Sequence, residues 1–246
     1  MIRYPDSVAL YSGGVDSYCM AYLHRPDTLL HITMGGRYGA AETARLTTPP
    51  GLEDRLVVES ASLIGTFERP DSKIIPGRNA LLALLGANYG DNVLMGSVAG
   101  STGKDKDPVF CDRMADLFDH MFASQPWLPH GRTVRVRLPL IRLTKAQVVK
   151  ATLDAGHDPQ LLVRNTFSCY EPDGDEPCGH CPACGRKWAA FRVWNIGVGF
   201  DGREAFRSYW DEVRTGTATH RTAQFRRDVV DAWNGGRTGI QENACR

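Results

Sequence analysis

The segment "ALYSGGVDSYCM", residues 9–20, constrains the fold more than any other part of the sequence. A short apolar run comes first, Gly13 and Gly14 follow it, and the residues from Asp16 onward have the pattern of a helix start. Glycines let the backbone come close to an anion, and the first amides of a helix point toward such a group. The segment therefore predicts a phosphate-binding loop between a strand and a helix. An ordinary strand-to-helix turn is the alternative, because Ser, Gly and Asp are common in turns.

The predicted nucleotide contacts extend from the end of the strand into the first helical turn. Ser12 and Ser17 supply hydroxyl groups. Asp16 lies where a carboxylate caps free amides or helps to hold a Mg2+ ion that accompanies phosphates. The full set of expected cofactor-binding residues is Leu10, Tyr11, Ser12, Gly13, Gly14, Val15, Asp16 and Ser17.

Apolar runs of strand length alternate with helix-like segments from the N-terminus to about residue 155. The strand-like runs are 8–11, 29–34, 56–58, 93–96 and 134–138, and the helix-like segments include 16–23, 79–89, 110–122 and 145–155. Repeated strand and helix predict an α/β fold with a doubly wound, Rossmann-like parallel sheet. Ligands of such sheets bind outside the carboxyl ends of the strands. The loops beginning near Ser12, Gly35, Gly96 and Pro139 are therefore expected to share one crevice.

Four cysteines lie close together in "SCYEPDGDEPCGHCPACGRKWAAF". Cys169, Cys178, Cys181 and Cys184 are separated by eight, two and two residues, a spacing typical of a tetrahedral thiolate site for zinc. Four sulfurs complete the coordination shell, so the predicted Zn2+ has a structural role. An iron–sulfur cluster and a set of unligated thiols are the alternatives. His180 lies inside the cluster and could replace a cysteine as ligand, but four thiolates suffice, so we expect it to lie outside the coordination shell.

Helix signals place a boundary near residue 156. Thr144 is a predicted N-cap, Gln147 follows it by three residues, and Gly156 is a stop. The sequence thus predicts three segments: an α/β domain over 1–156, a zinc-binding module over 157–199 and a helical tail over 200–246.

Composition restricts the classes of function. The chain of 246 residues has a formal net charge of +1, which gives no general electrostatic reason to bind nucleic acid. No window approaches the length of an apolar membrane span, and the N-terminus lacks a signal-type pattern. The expectation is a cytoplasmic protein that acts on a small molecule, with no membrane partner.

Three motifs together resemble a known family. Ser-Gly-Gly-x-Asp-Ser after a first parallel strand is similar to the signature of the N-type ATP pyrophosphatases, which cleave ATP between the α and β phosphates. "IIPGRNALL" in the middle of the chain, followed by "LVRNTFSCY" and "CGHCPAC", extends the likeness to the 7-cyano-7-deazaguanine synthase family. A Pro-Leu, then Lys-Ala, element is matched by Pro139, Leu140, Lys145 and Ala146. The resemblance covers residues 8–191.

The resemblance implies an ATP-dependent ligase. Members of the family convert 7-carboxy-7-deazaguanine and ammonia to the nitrile through adenylated intermediates, for modified nucleosides in tRNA or DNA. It implies ATP and Mg2+ at the glycine loop, Zn2+ at the four cysteines, and a small-molecule carboxylate and ammonia as substrates. The expected catalytic residues are Asp16, Ser17, Arg78 and Lys145, and the expected substrate residues are Arg37, Arg78, Asn79, Lys104 and Asp105. A solvent-facing position is the alternative for Arg78 and for Lys145.

The substrate side departs from the family pattern. The usual Tyr-Pro-Asp-Cys-Arg, then Glu and Phe, reads "GKDKDPVF" here and keeps only Asp105 and Phe110. Three hypotheses follow: the synthase itself; an ATP-dependent enzyme that stops at the amide or acts on another carboxylate, including one on a protein; and a non-catalytic binding protein. A charged flap is the alternative role for the segment around Lys104. The long tail is a candidate for self-association, so a homodimer is one expectation.

Overall fold

A computed structural model describes residues 2–35, 39–71, 74–101, 103–174 and 176–236. These residues form five strands and nine α-helices. In chain order they are β1 (Ser7–Leu10), α1 (Val15–His24), β2 (Thr28–Thr33), α2 (Gly39–Ala44), β3 (Leu56–Ser60), α3 (Arg78–Gly86), β4 (Asn92–Leu94), α4 (Pro108–Met121), β5 (Arg135–Arg137), α5 (Lys145–Asp154), α6 (Pro159–Arg164), α7 (Pro182–Arg192), α8 (Arg203–Arg214) and α9 (Ala223–Trp233). The predicted strands lie within about two residues of the observed ones.

One parallel sheet has the strand order β3-β2-β1-β4-β5. This confirms the predicted α/β class with a parallel sheet, and the order is the one found in Rossmann-type folds. The order reverses between β1 and β4, which both pair with their neighbours in parallel. The loops that leave these two strands therefore flank the position where such sheets bind ligands.

Burial explains why the central strands form. Ser7, Val8 and Ala9 of β1 are all buried, as are four consecutive residues of β2. Central strands of parallel sheets are covered on both faces, so they read as continuous apolar runs. Helix α1 is buried almost all round, including Tyr18 and Met20, so it packs as a core element.

The main apolar core of this part of the chain lies between the sheet and two helices. Strand residues such as Val8, Leu30 and Val93 contact a cluster to which α3 contributes Ala83 and α4 contributes Phe118. Helix α4 is amphipathic, and its start is fixed by Asp107, whose carboxylate accepts a hydrogen bond from the amide of Phe110 at 2.9 Å.

The described residues divide into two compact units. The first contains residues up to Arg142 together with Asn165–Phe167, and the second contains Leu143–Arg164 and the described residues from Ser168 onward. Helix α5, which the sequence assigned to the first predicted segment, lies in the second unit. The division of the chain into an α/β domain, a zinc-binding module and a helical tail stays a prediction.

Helices α7, α8 and α9 pack together in the second unit. A Cβ atom at Gly185 would lie 2.8 Å from the backbone of Ala205, so only glycine allows α7 and α8 to come this close. The aromatic side chains of α8 and α9 pack against one another: Trp210 stacks on Trp233 with ring centroids 5.2 Å apart. None of the helices in the described residues combines the length and apolar character needed to cross a membrane.

Candidate functional site

The glycine loop is shaped first by its own side chains. Gly13 has φ 69°, a left-handed conformation that favours glycine, and Gly14 is the N-cap of α1. The Ser17 hydroxyl donates to the carbonyl of Gly14 at 3.2 Å and accepts from the amide of Ser12 at 3.2 Å. The hydroxyl groups of Ser12 and Ser17 are 3.1 Å apart. Ser17 therefore closes the loop over the start of α1, where the first helical amides have no partner within the helix.

Distant segments hold the loop from outside. The amide of Phe167 donates to the carbonyl of Gly13 at 3.0 Å, and Nδ1 of His31 lies 2.9 Å from the carbonyl of Tyr11. The Tyr11 hydroxyl donates to the carbonyl of Thr47. The carbonyl oxygens of Tyr11 and Gly13 are thus engaged by protein donors, which fixes the backbone that leads into the helix.

Residues 165–167 connect the loop to the segment after α2. Thr47 donates to the carbonyl of Asn165 at 2.6 Å, and the Asn165 amide donates to the Tyr18 hydroxyl at 3.3 Å. The Arg45 guanidinium lies 4.7 Å from the centroid of the Phe167 ring. In the sequence, "LVRNTFSCY" was identified as part of the family pattern, but no contact with the glycine loop was predicted for it. These hydrogen bonds were therefore missed.

Gly96, after β4, packs directly against the start of α1. A Cβ atom there would lie 3.2 Å from the amide nitrogen of Ser17 and 3.3 Å from the carbonyl carbon of Asp16. The loops that leave β1 and β4 therefore meet as predicted. Gly35, after β2, has φ 71° and lies against the backbone of Ser62.

Two predicted substrate residues are joined in the structure. Asn79, buried in the first turn of α3, donates to a carboxylate oxygen of Asp105 at 2.9 Å. Arg78 is exposed, and sequence reasoning missed the neighbouring Glu42 of α2. Burial raises the pKa of Glu42, and the positive charge of Arg78 opposes that rise. The only sequence signal for Glu42 is its place in the short alanine-rich segment that forms α2.

Side chains from outside the segment 103–107 donate hydrogen bonds to it. The Ser97 hydroxyl donates to the carbonyl of Lys106 at 2.9 Å. The Lys104 side chain is 94% exposed and its ammonium lies 3.9 Å from the Asp107 carboxylate. Arg37, another predicted substrate residue, lies outside the described residues.

Lys145 is the first residue of α5, and its helix has the predicted capping box. The Thr144 hydroxyl accepts from the amide of Gln147 at 3.3 Å, and the Gln147 side chain accepts from the amide of Thr144 at 3.0 Å. Gly156, the predicted stop, has φ 92°. The start and the end of α5 are therefore confirmed.

The four cysteine sulfurs form one group. Among the described residues, Cys169, Cys178, Cys181 and Cys184 each offer one sulfur, and these atoms lie within 4.8 Å of one another. Tetrahedral zinc with Zn–S bonds of about 2.3 Å separates its sulfurs by about 3.8 Å, and the Cys178 and Cys184 sulfurs are 4.0 Å apart. The donor set and its spacing fit a zinc ion.

Backbone amides donate to the sulfurs of Cys169, Cys178 and Cys181, while burial raises the pKa of Cys169 and of Cys184. The amide of Cys178 donates to the sulfur of Cys169 at 3.3 Å, and the amide of Tyr170 donates to that of Cys181 at 3.4 Å. Burial raises the pKa of Cys181, but hydrogen bonds from Tyr170 and from its cysteine neighbours outweigh burial and lower the pKa to about 7. His180 is exposed and its Nδ1 lies 2.8 Å from the carbonyl of Cys178, so it faces away from the sulfurs.

A comparison with known protein families matches the part of the chain that contains Asn79 and the cysteine cluster. The family described as "Queuosine biosynthesis protein QueC" matches residues 52–195, which include the Asn79 element and all four cysteines. The chain belongs to the QueC family. The match ends at residue 195, so helices α8 and α9 lie beyond the part of the chain that defines QueC membership.

Three curated relatives with the same name resemble the chain over most of its length. The chain is 23% identical over 208 residues to the 7-cyano-7-deazaguanine synthase of Marinomonas sp. (strain MWYL1), covering 75% of this chain and 92% of the relative. It is 27% identical over 214 residues to the synthase of Syntrophobacter fumaroxidans, covering 72% and 88%. It is 26% identical over 220 residues to that of Frankia casuarinae, covering 76% and 89%. These QueC relatives are named as synthases, which supports an enzyme.

Proposed function

We propose that the protein is an ATP-dependent 7-cyano-7-deazaguanine synthase. The observation that carries the proposal is the glycine loop at residues 12–17, which opens α1 and is fixed by contacts from β2, the β4 loop and residues 165–167. A preorganised loop at a helix start suits the pyrophosphate that leaves ATP. Membership in the QueC family supplies the substrate class.

The proposed reaction activates the same carbon twice. A carboxylate oxygen of 7-carboxy-7-deazaguanine attacks the α-phosphorus of ATP, and pyrophosphate leaves. Ammonia then attacks the acyl carbon, which gives the amide, AMP and a proton. The amide oxygen attacks the α-phosphorus of a second ATP, pyrophosphate leaves again, and loss of AMP and of both nitrogen-bound protons from the adenylated amide forms the nitrile.

Each predicted site residue has a role in this reaction that follows from its side chain. With ATP bound, Ser12 and Ser17 would turn their hydroxyl groups from their contacts within the loop toward phosphate oxygens. Asp16 would hold the Mg2+ that neutralises charge on the phosphates. Arg78 offers a planar fork for a carboxylate or a phosphate. Lys145 adds a cationic group that neutralises charge as pyrophosphate leaves.

A second candidate function keeps the activation and changes the acid. The observation in its favour is the segment 103–107, where Lys104 and Lys106 replace residues usual in the family and Asp105 is engaged by Asn79. An enzyme of this kind ends at an amide or adenylates a different carboxylate. ATP activation is common to both functions.

Product mass distinguishes the two functions. The purified protein is incubated with ATP, Mg2+, ammonium and 7-carboxy-7-deazaguanine, with the Asp16→Asn variant as control. A nitrile with two AMP per product supports the synthase, and an amide with one AMP supports the second candidate. Production of neither compound, with no AMP formed above the control, overturns the proposed substrate.

We also propose that the four cysteines hold one structural Zn2+. The ion would close a loop-rich segment whose few apolar residues cannot order it alone. Metal analysis is expected to find about one zinc per chain, and chelation is expected to unfold the second unit, as followed by circular dichroism. Cys184→Ser should lose the metal and His180→Ala should keep it. Iron in place of zinc, or a protein that folds fully without metal, contradicts the proposal.

A further inference from the structure

Arg186 of α7 carries a half-buried positive charge that is not paired with an acid. Among the residues that the structure describes, none places a carboxylate within ion-pair distance of its guanidinium. The arginines of α8 differ, since Arg207 lies 2.7 Å from the Glu204 carboxylate and Arg214 lies 3.4 Å from that of Asp211. Moving a charge out of water is costly unless a partner compensates it. The groups around Arg186 therefore indicate which partner suits it.

Two tyrosine hydroxyl groups hold the guanidinium in place. Nη1 of Arg186 donates to the hydroxyl of Tyr209 on α8 at 3.2 Å, and Nη2 donates to the hydroxyl of Tyr170 at 3.0 Å. Tyr170 follows Cys169 in the segment before α7 and is 39% exposed. The three side chains belong to the second unit, and the group that they form reaches the surface of that unit.

The direction of these hydrogen bonds leaves donors for a further group. A guanidinium has N–H donors and no acceptor, so each tyrosine oxygen accepts from Arg186 and directs its own proton elsewhere. The remaining N–H groups of Arg186 make no hydrogen bond with a described residue. The acid that follows Tyr170 does not supply an acceptor, because the Glu171 carboxylate lies 3.9 Å from Nε2 of His180 instead. A positive charge among hydroxyl and N–H donors favours an anion with several acceptor oxygens.

We propose that Arg186, Tyr170 and Tyr209 form a binding site for a phosphate group. Arginine is well suited to phosphate, because its planar fork donates parallel hydrogen bonds to two oxygens. The oxygens of phosphate point in tetrahedral directions, so they also meet donors that lie outside the plane of the fork, whereas the oxygens of a carboxylate lie in one plane. The glycine loop belongs to the first unit, and this inference does not rest on the proposed function.

Binding of inorganic phosphate to the purified full chain, measured by isothermal titration calorimetry, tests the inference. Arg186→Gln is expected to weaken binding at this site about 10- to 100-fold, because it removes the charge and the fork. Tyr209→Phe removes a single hydroxyl group and should weaken binding about 3- to 10-fold. If phosphate also binds at the glycine loop, that second binding event should stay the same in every variant.

Arg207→Gln is the matched control. Arg207 is an exposed arginine of α8 whose guanidinium already bonds to Glu204, so its loss should change the phosphate affinity less than twofold. Circular dichroism checks that each variant is folded, and if Arg186→Gln is not, Tyr209→Phe decides the test. Equal phosphate binding by the parent and by the folded site variants overturns the inference. A parent protein that binds no phosphate overturns it as well.

Two phosphate esters separate the sources of the phosphate group. Methyl phosphate, a monoester, represents the terminal phosphate of a small molecule, and dimethyl phosphate, a diester, represents the backbone of a nucleic acid. Binding of the monoester alone that is lost in Arg186→Gln supports a small-molecule ligand. Comparable binding of both esters, with the same loss, supports a nucleic acid.

Discussion

The glycine loop and the segment 103–107 are held in different ways. Backbone groups of Tyr11 and Gly13, at the start of the glycine loop, bond to β2 at Leu30 and His31 and to Phe167, far away in the sequence. The segment 103–107 is anchored by the side chains of Asn79 and Ser97. One region depends on main-chain geometry and the other on a few replaceable side chains.

This difference explains which part of the family pattern survives. A loop that many segments support tolerates little change, because each support depends on its exact backbone path. The hydrogen bonds that Asn79 and Ser97 donate to the segment 103–107 come from two side chains, which substitution can change. Under the proposed function, ATP activation would depend on the glycine loop, and the choice of acid would depend on the segment 103–107.

Asp16→Asn should have the largest effect and tests the glycine loop. Loss of the charge that accompanies the phosphates is expected to lower ATP turnover about 10²- to 10³-fold, with an unchanged circular dichroism spectrum. The exposed Asp112→Asn of α4 is the control and should behave as the parent. Normal ATP turnover in Asp16→Asn would remove this residue from the mechanism.

Gly96→Ala should have the next largest effect. The added Cβ meets the amide of Ser17 and the carbonyl carbon of Asp16, so the start of α1 must shift. We expect a loss of about 1–3 kcal/mol in unfolding free energy and a kcat lowered about tenfold. Gly197→Ala is the matched control, because no atom lies within 4 Å of the position of its Cβ. An active Gly96→Ala would mean that the loop is less rigid than the comparison requires.

Asn79→Ala tests the segment 103–107. Removal of the amide frees Asp105, and we expect the KM for the acid to rise about tenfold, since hydrogen bonds to charged groups contribute about 1.5–3 kcal/mol. The KM for ATP should stay constant. Arg113→Ala, at an exposed position of α4, should change either KM less than twofold. A change in the KM for ATP alone would assign Asn79 to ATP binding instead.

His31→Gln should have the smallest effect, and it appears in the pH dependence of stability. Burial lowers the pKa of His31 below its ordinary value of 6.5, so the unfolded chain binds a proton that the folded chain resists. The free energy of unfolding should therefore fall as the pH drops below 6.5. Urea unfolding between pH 5 and 7 measures the slope, which His31→Gln should reduce and the exposed His130→Gln should leave unchanged.

Much of the fold could be predicted from the sequence because the residue patterns that indicate strands and helix ends are local. Apolar runs placed the strands, and Thr144, Gln147 and Gly156 placed both ends of α5, since capping depends on residues a few positions apart. The cysteine spacing indicated a metal site for the same reason. Whether Arg78 and Lys145 act in catalysis stays a prediction.

Other features depend on contacts between distant segments, which a single sequence does not encode visibly. Nothing near Phe167 indicates that its amide bonds to Gly13, and nothing near Asp228 indicates Thr144 as its partner. The assignment of α5 to the second unit follows from packing against α7, a tertiary contact. Glu42 was missed because an acid in a short helix is usually a solvated residue.

The support of the glycine loop by residues 165–167 has a consequence for folding. Tyr18 and Asn165 are 147 residues apart in the sequence, and Thr47 and Asn165 are 118 apart. Contacts of such high sequence separation form late and slow the search for the native state. During synthesis, which proceeds from the N-terminus, the loop gains its supports from residues 165–167 only after the rest of the first unit has emerged. The glycine loop is therefore among the first segments to be made and among the last of the first unit to be fixed in shape.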